Sequence, residues 1–201
     1  FATGQIPTQP HFEDLVDCSI NTAETSQQFL SSSLVTHVVG SSTYGAGVQG
    51  TGDVYKHNVL DVNSEKITTI VVDLQGLSAS AADNAVIGLS GSDSSYLMQW
   101  KTAVNGNLYK IELGCGETLL GGGADVDLAF SASIQSTYAT ISQSNAVLFT
   151  SDSGRDAGDF KTSNSMVGVP SNDDYIHLMN GTSGTDSPYT AGKLIIKFYG
   201  I

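Results

Sequence analysis

The sequence is poor in charge, and the charge that it carries is mostly acidic. Only 14% of its 201 residues are charged, against roughly 25% in an average soluble domain. Eight basic side chains stand against 20 acidic ones, which gives a formal net charge of -12. Because nucleic-acid backbones and anionic membranes bind to positive surfaces, we expect neither of them as a partner.

Cysteine, proline and tryptophan are scarce as well. The two cysteines, Cys18 and Cys115, are too few for a disulfide scaffold or a structural zinc site. We interpret them as two buried thiols, and a single disulfide between them stays as the alternative. The one tryptophan, Trp100, is expected in the core rather than on an exposed sugar-binding platform.

Long apolar runs are also missing. No run approaches the roughly 18 residues that a membrane-spanning helix needs. The opening segment, FATGQIPTQP, has neither the basic nor the apolar region of a signal peptide, so export by a signal peptide is not visible here, and a trimmed chain stays as the alternative.

Small residues and short apolar stretches make up much of what is present. Glycine alone accounts for 22 residues, and the glycine-, serine- and threonine-rich turns separate about nine to eleven strand-like segments. We therefore predict an all-β protein, a single antiparallel β-sandwich or jelly-roll-like domain over residues 16–201. An extended N-terminal arm, residues 1–15, precedes it and contains Pro7 and Pro10. The strand candidates are Leu34–Val39, Val54–Val62, Lys66–Leu74, Ala85–Leu89, Ala124–Ile134, Ser144–Thr150, Ser165–Val169, Asp174–Met179 and Lys193–Ile201.

The firmest local signal is the segment Ser95–Gly116, SYLMQWKTAVNGNLYKIELGCG. It predicts a β-hairpin with arms Tyr96–Ala103 and Leu108–Leu113. The two arms are joined through Asn105-Gly106, a dipeptide suited to the positive φ angles of a tight turn. We expect this hairpin to form the structural middle of the sandwich.

Motifs of enzymes and nucleotide-binding proteins are incomplete. Residues 45–50, GAGVQG, match G-x-G-x-x-G, but a turn-forming TGD follows where the dinucleotide fold needs a helix N-terminus. A flexible loop is the better interpretation. No metalloprotease motif or nucleophile elbow is present, and a Ser-His-Asp site assembled in space has no local support. We expect no catalytic residues and no cofactor.

Two acidic segments have a chemical interpretation beside a structural one. The loop DSGRDAGD brings Asp152, Asp156 and Asp159 together as candidate Ca²⁺ ligands, although it lacks EF-hand spacing and a solvated loop is favoured. Asp125 and Asp127 alternate with apolar residues, which predicts a half-buried strand with both carboxylates facing solvent. A pair of acids for glycoside hydrolysis is the alternative there.

The order of segments resembles a known group of proteins. TTIVVDLQGL, NAVIGLSG, SYLMQWKTAVNGNLYKIELGCGET, GGGADVDLAFSAS, DDYIHLM and YTAGKLIIKFYG are together similar to virion structural proteins of tailed bacteriophages, especially those of marine and cyanobacterial hosts. The resemblance covers residues 66–201 and rests on structural motifs. It implies a non-enzymatic protein of the virion, in first place a capsid decoration or cement protein on the outer surface of the head. A fibre or tail component and a carbohydrate-binding β-sandwich module are the alternatives.

The same resemblance implies how the protein attaches. Its partners would be the major capsid protein or other virion proteins, and it would bind as a homo-oligomer, with a trimer favoured, because multivalency strengthens weak single contacts. Exposed strand edges recruit partners by strand addition, so we expect docking through the arm and the terminal strand. The candidate contact residues are Ile6, Pro7, Phe12, Ile195 and Phe198.

Overall fold

Strands dominate the molecule, and all of the strand pairings are antiparallel. The computed structural model describes residues 36–38, 45–48, 55–62, 64–78, 80–123, 125–142, 147–149, 156–163, 168–181 and 186–201. Its strands are β1 (Thr36–Val38), β2 (Tyr55–Val62), β3 (Glu65–Asp73), β4 (Met98–Gln99), β5 (Leu108–Gly121), β6 (Val126–Ser131), β7 (Val147–Phe149), β8 (Phe160–Ser163), β9 (Tyr175–Asn180) and β10 (Tyr189–Gly200). A 3-10 turn (Ala46–Val48) and one helical turn (Thr102–Asn105) are the helical elements of these residues. The prediction of an all-β antiparallel fold is confirmed.

The strands form two sheets. One has six strands in the order β1-β2-β3-β10-β5-β8, and the other has four in the order β4-β9-β6-β7. The last strand, β10, pairs with β3 on one side and with β5 on the other. It is therefore a central strand, and the expectation that the terminal strand offers an exposed edge is wrong.

One apolar core lies between the sheets. On β10, Leu194, Ile196 and Phe198 are buried while the residues between them are half-buried or exposed, as a period of two requires. They pack in one cluster with inward residues of β3 and β5 and with Leu128 and Leu178 of the four-stranded sheet. The two sheets are thus the layers of a sandwich.

Trp100 lies inside this core, as the sequence predicts. It is 1% exposed, and its indole packs edge-on against the Phe198 ring with 5.8 Å between centroids. The indole N–H, which a buried tryptophan has to satisfy, donates to the carbonyl of Gly106 at 3.2 Å.

The predicted hairpin around Asn105-Gly106 is wrong. The segment before it, β4, belongs to the four-stranded sheet, and β5 belongs to the six-stranded sheet. The chain crosses between the layers through the helical turn Thr102–Asn105. The Asn105 side chain accepts a hydrogen bond from the Lys101 N–H and donates to the hydroxyl of Thr68, both at 2.9 Å. Gly106 has the expected positive φ, 76°, but it ends a helical turn instead of a hairpin loop.

The start of the glycine-rich loop serves close packing. The Gly45 and Gly47 N–H groups donate to the carbonyls of Tyr96 and Ser94, at 2.9 and 2.7 Å. A Cβ on Gly45 would lie 2.2 Å from the Ser94 oxygen. These glycines allow two backbones to touch, so residues 45–48 pack closely against residues 94–96.

Other expectations meet mixed outcomes. The predicted strands at β2, β3, β6 and β9 are present, whereas Ala85–Leu89 forms isolated bridges only. Strand β8 follows the acidic loop DSGRDAGD and is absent from the strand candidates, and Ser165–Val169 is described from residue 168 onward, where no strand is formed. Cys115 is a buried thiol whose Sγ donates to the Glu117 carbonyl at 3.1 Å, and burial raises its pKa. The arm, residues 1–15, and Cys18 lie outside the described residues.

Candidate docking face on the six-stranded sheet

The side of the six-stranded sheet that points away from the core carries the most suggestive surface chemistry. We call it the outer face. It is built from alternate residues of four neighbouring strands and a few flanking side chains. These are Glu65, Ile67, Thr69, Val71 and Asp73 of β3, Tyr109, Lys110, Glu112, Gly114 and Glu117 of β5, Phe160 and Thr162 of β8, and Lys193, Ile195, Lys197 and Tyr199 of β10.

An apolar row crosses the outer face at right angles to the strands. Strand register places Val71 beside Ile195, Ile195 beside Gly114, and Gly114 beside Phe160. Phe160 is 60% exposed and Ile195 38%. A Cβ on Gly114 would lie 3.7 Å from the Phe160 ring, so this ring lies along a strand position that has no side chain. The result is an exposed apolar strip.

A charged and aromatic cluster lies on one side of the apolar row. The Glu112 carboxylate accepts hydrogen bonds from the Lys110 ammonium and from the Tyr199 hydroxyl, each at 2.6 Å. The Lys110 ammonium also lies 4.3 Å from the centre of the Tyr199 ring, within cation–π range. The neighbouring Tyr109 hydroxyl donates to Glu65. Lys197 sits beside Glu112 in register.

These contacts set the ionisation of the cluster. Burial opposes ionisation of Glu112, but hydrogen bonds from Lys110 and Tyr199 outweigh it and lower the pKa of the carboxyl. Burial and then the bond to Glu112 raise the pKa of Tyr199, and the bond to Glu65 raises the pKa of Tyr109. The glutamate is therefore an anion and the tyrosines are proton donors at neutral pH.

A second charged group lies on the other side of the apolar row. The Lys193 ammonium is 2.6 Å from the Glu117 carboxylate and 3.6 Å from that of Asp73. The hydrogen bond to Glu117 raises the pKa of Lys193. With Lys110 and Lys197, the outer face holds three lysines against four carboxylates. The rest of the chain then has five basic against 16 acidic residues, so the outer face is close to neutral on an acidic molecule.

The structure places the predicted contact residues in different environments. Ile195 lies in the apolar row of the outer face. Phe198 is fully buried against Trp100, so its assignment as a contact residue is wrong. The reason is strand alternation, because residues 195 and 198 of one strand point to opposite faces. Ile6, Pro7 and Phe12 lie outside the described residues and stay predictions.

The candidate Ca²⁺ loop is described only in part. Asp156 and Asp159 are exposed, and the Asp159 carboxylate accepts the Asp156 N–H at 3.1 Å. The turn is held to β5, where the Asp159 carbonyl accepts the Cys115 N–H at 2.8 Å. Across the described part of the chain, no three His, Cys, Asp or Glu side chains are grouped to hold a metal ion. Asp152 lies outside that part, so its contribution stays a prediction.

The prediction that Asp125 and Asp127 face solvent is wrong. They are 6% and 0% exposed. The outer side of the four-stranded sheet is covered by the segments before β4 and after β6. Val86 and Ile141 of these segments form a second apolar cluster with Ala129 of β6 and Met179 of β9. Buried in this way, the two acids do not line an open cleft as a glycosidase pair would.

A buried polar network lies under the same cover, and no pattern in the sequence predicts it. His177 of β9 is 0% exposed, and its Nδ1–H donates to the Ser95 carbonyl at 2.8 Å. The Ser95 and Thr137 hydroxyls lie 2.7 Å apart, and Thr137 donates to the Leu89 carbonyl at 2.6 Å. Burial lowers the pKa of His177, and backbone carbonyls offset part of this effect. A network closed to solvent supports the fold and does not meet a substrate.

Comparison with known proteins identifies no relative, since no family model, curated protein or solved structure matches this chain. Among the described residues there is no helix with the length and apolar character that crossing a bilayer demands.

Proposed function

We propose that the protein is a non-enzymatic virion structural protein of a tailed bacteriophage, a decoration or cement subunit on the outer surface of the head. The observation that supports it is the outer face, where an exposed apolar row runs between self-paired charges. Such a surface is typical of association between proteins. Glu112 is held as an anion and Tyr109 and Tyr199 as neutral hydroxyls, which favours a binding role over a catalytic one.

The proposed attachment uses many copies. Contacts with the major capsid protein or other virion proteins would be made through the N-terminal arm, with Ile6, Pro7 and Phe12 as contact residues. Each site can be weak, because an oligomer that engages several capsid sites at once binds far more tightly than one chain. The proposed location is the assembled virion.

Binding to heads tests the proposal. Purified full-length protein is mixed with isolated heads that lack it, and the bound fraction is measured by co-sedimentation. We expect saturable binding, and we expect Ile6→Ser with Phe12→Ser to weaken it about tenfold or more through lost apolar anchors. Ile134→Ser, at an exposed position outside the outer face, is the matched control. Absence of binding, or absence of the protein from particles by mass spectrometry, would overturn the proposal.

A carbohydrate-binding module is the second candidate. It is favoured by the exposed Tyr109, whose ring lies 6.3 Å from that of Tyr199 beside two glutamates. Aromatic faces with flanking hydrogen-bonding groups suit sugars. Glycan-array binding that disappears with Tyr109→Ala, combined with no binding to heads, would favour this function over the virion role.

A further inference from the structure

The residues of the outer face are arranged so that one half complements the other. The four strands that carry the outer face lie in the order β3-β10-β5-β8 within the six-stranded sheet, so a line drawn between β10 and β5 divides the face into two equal halves. From this symmetry we infer that two copies of the chain pair through their outer faces, about a two-fold axis that runs parallel to the strands along this line. The inference does not depend on the virion role.

The apolar row fits such an axis. The axis places β10 of one copy over β5 of the second copy, and β3 over β8. Ile195 then lies over Gly114 of the second copy, beside the Phe160 ring that packs along this position. Val71 faces the exposed ring of Phe160 in the same row. Large apolar side chains therefore meet each other, as complementary packing between sheets about 10 Å apart requires.

The charged residues on both sides of the apolar row fit the same axis. Lys197 is placed over Glu112 of the second copy, and Lys193 over Glu117. In the outermost row Tyr199 is placed over Lys110, which repeats between copies a contact that already exists within one chain. Each basic group thus faces an acidic or aromatic partner, and the symmetry makes every such contact twice.

An axis at right angles to the strands gives the opposite result. A two-fold axis along the apolar row would place Lys197 over Lys193 of the second copy and Glu112 over Glu117 of the second copy. Like charges at close range cost several kcal/mol and suppress the wrong arrangement. The charge pattern therefore selects the axis that is parallel to the strands.

Net charge also favours this face over the rest of the surface. Outside it the chain has an excess of 11 acidic residues, 16 against five basic, whereas the face holds four against three. Two strongly acidic molecules approach with least repulsion through their most neutral surfaces. A copy of the same chain is for this reason the occupant that the outer face suits.

The size of the face sets the expected strength. The four strands of the outer face, with about eight residues along each, span roughly 19 by 26 Å. This outline of about 500 Å² per copy lies below the roughly 800 Å² of a standard stable interface, so we expect a reversible dimer with a Kd on the order of micromolar. A self-complementary two-fold face closes at two copies, whereas a trimer needs two different surfaces on each chain.

Charge reversal tests the pairing. We expect wild-type protein to sediment as a reversible dimer of its 21.0 kDa chain. Lys197→Glu alone and Glu112→Lys alone should each weaken self-association about tenfold to 100-fold, because each sets like charges against each other across the axis. An equal mixture of the two variants should recover a dimer, since the reversed charges then face each other between chains. An effect confined within one chain cannot produce this recovery.

Controls separate the interface from the fold. Lys101→Glu makes the same charge change at an exposed ion pair with Asp173, outside the outer face, and should leave the dimer intact. Circular dichroism melting checks that each variant is folded. If Glu112→Lys does not fold, Phe160→Asp supplies an independent test, because this 60% exposed side chain adds little to the core and its change should still weaken the dimer about tenfold.

Several outcomes would overturn the inference. A wild-type monomer at concentrations of about 100 μM or more, a trimer, or a variant mixture no stronger than its components would each do so. A monomer in which Phe160→Asp makes residues 1–35 sensitive to protease would indicate that the chain's own N-terminal segment covers the face. A monomer in which the same change abolishes binding to heads would indicate a capsid protein there.

Discussion

At the scale of single residues, His177 is the clearest link between burial and solution behaviour. A carbonyl can only accept a hydrogen bond, so the contact with Ser95 requires the proton on Nδ1 and leaves Nε2 as the lone-pair nitrogen. Within the described residues Nε2 has no hydrogen-bond donor. The folded protein therefore holds this histidine neutral, and protonation has to compete with burial.

We predict that folding stability falls as the pH drops below the ordinary histidine value. Burial lowers the pKa of His177 in the folded chain, while the unfolded chain titrates near pH 6.5. Above this value neither state binds the proton and the stability is complete; below it the unfolded state gains the proton first. The loss amounts to at most about 1.4 kcal/mol per pH unit, measured by urea unfolding between about pH 5 and pH 7.5.

His177→Gln isolates this effect. Carboxyl groups also contribute to the loss of stability in acid, so the relevant quantity is the difference in pH dependence between wild type and variant. The variant should be less stable at pH 7 but should lose less stability on acidification. A pH slope identical to that of wild type would show that His177 is not the responsible group.

At the scale of elements, the close contact between the backbone of residues 45–48 and that of residues 94–96 depends on a glycine at position 45. Gly45→Ala should destabilise the protein by about 1 to 3 kcal/mol, because its Cβ would lie 2.2 Å from a backbone oxygen that cannot rotate away. Gly116→Ala is the matched control, since its Cβ would meet the Ile195 side chain at an ordinary 3.5 Å. Thermal melting compares the two. Equal losses of stability would mean that the close approach at Gly45 is not tight.

The local sequence of β8 does not predict a strand. Phe160–Ser163 is short, polar in part and preceded by Asp159, and it is a strand because β5 offers it an edge from Ile111 to Gly114. Short edge strands limit unwanted pairing with other chains. Their existence depends on a partner strand distant in sequence, so local propensity misses them.

At the scale of the whole molecule, the acidic net charge affects the strength of the proposed self-association. We predict that self-association strengthens when salt rises from about 20 to about 150 mM, because screening weakens long-range repulsion more than the contacts inside the interface. Sedimentation equilibrium measures the change in Kd. A Kd that rises with salt would show that attraction between the facing lysines and glutamates dominates over repulsion between the acidic surfaces.

The candidate site was predictable only in fragments. The sequence predicts Ile195 as a contact residue on a strand that the structure confirms. It also predicts Phe198, although the side chains of residues 195 and 198 point to opposite faces of the sheet. The apolar row could not be foreseen, since Val71, Gly114 and Phe160 become neighbours of Ile195 only through the register of three strand pairs. Pairing across long sequence separations leaves no local pattern that a single strand displays.

What the sequence determined by itself is the all-β class, the position of most strands and the burial of Trp100. These follow from local quantities: alternation with a period of two, turn-forming glycines and the apolar size of a side chain. The tertiary structure alone decided that β10 is central, that the Asn105-Gly106 segment links two sheets, and that Asp127 and His177 are buried. The physical reason is that strand order, and the covering of a sheet by distant loops, depend on the free energy of packing the whole chain.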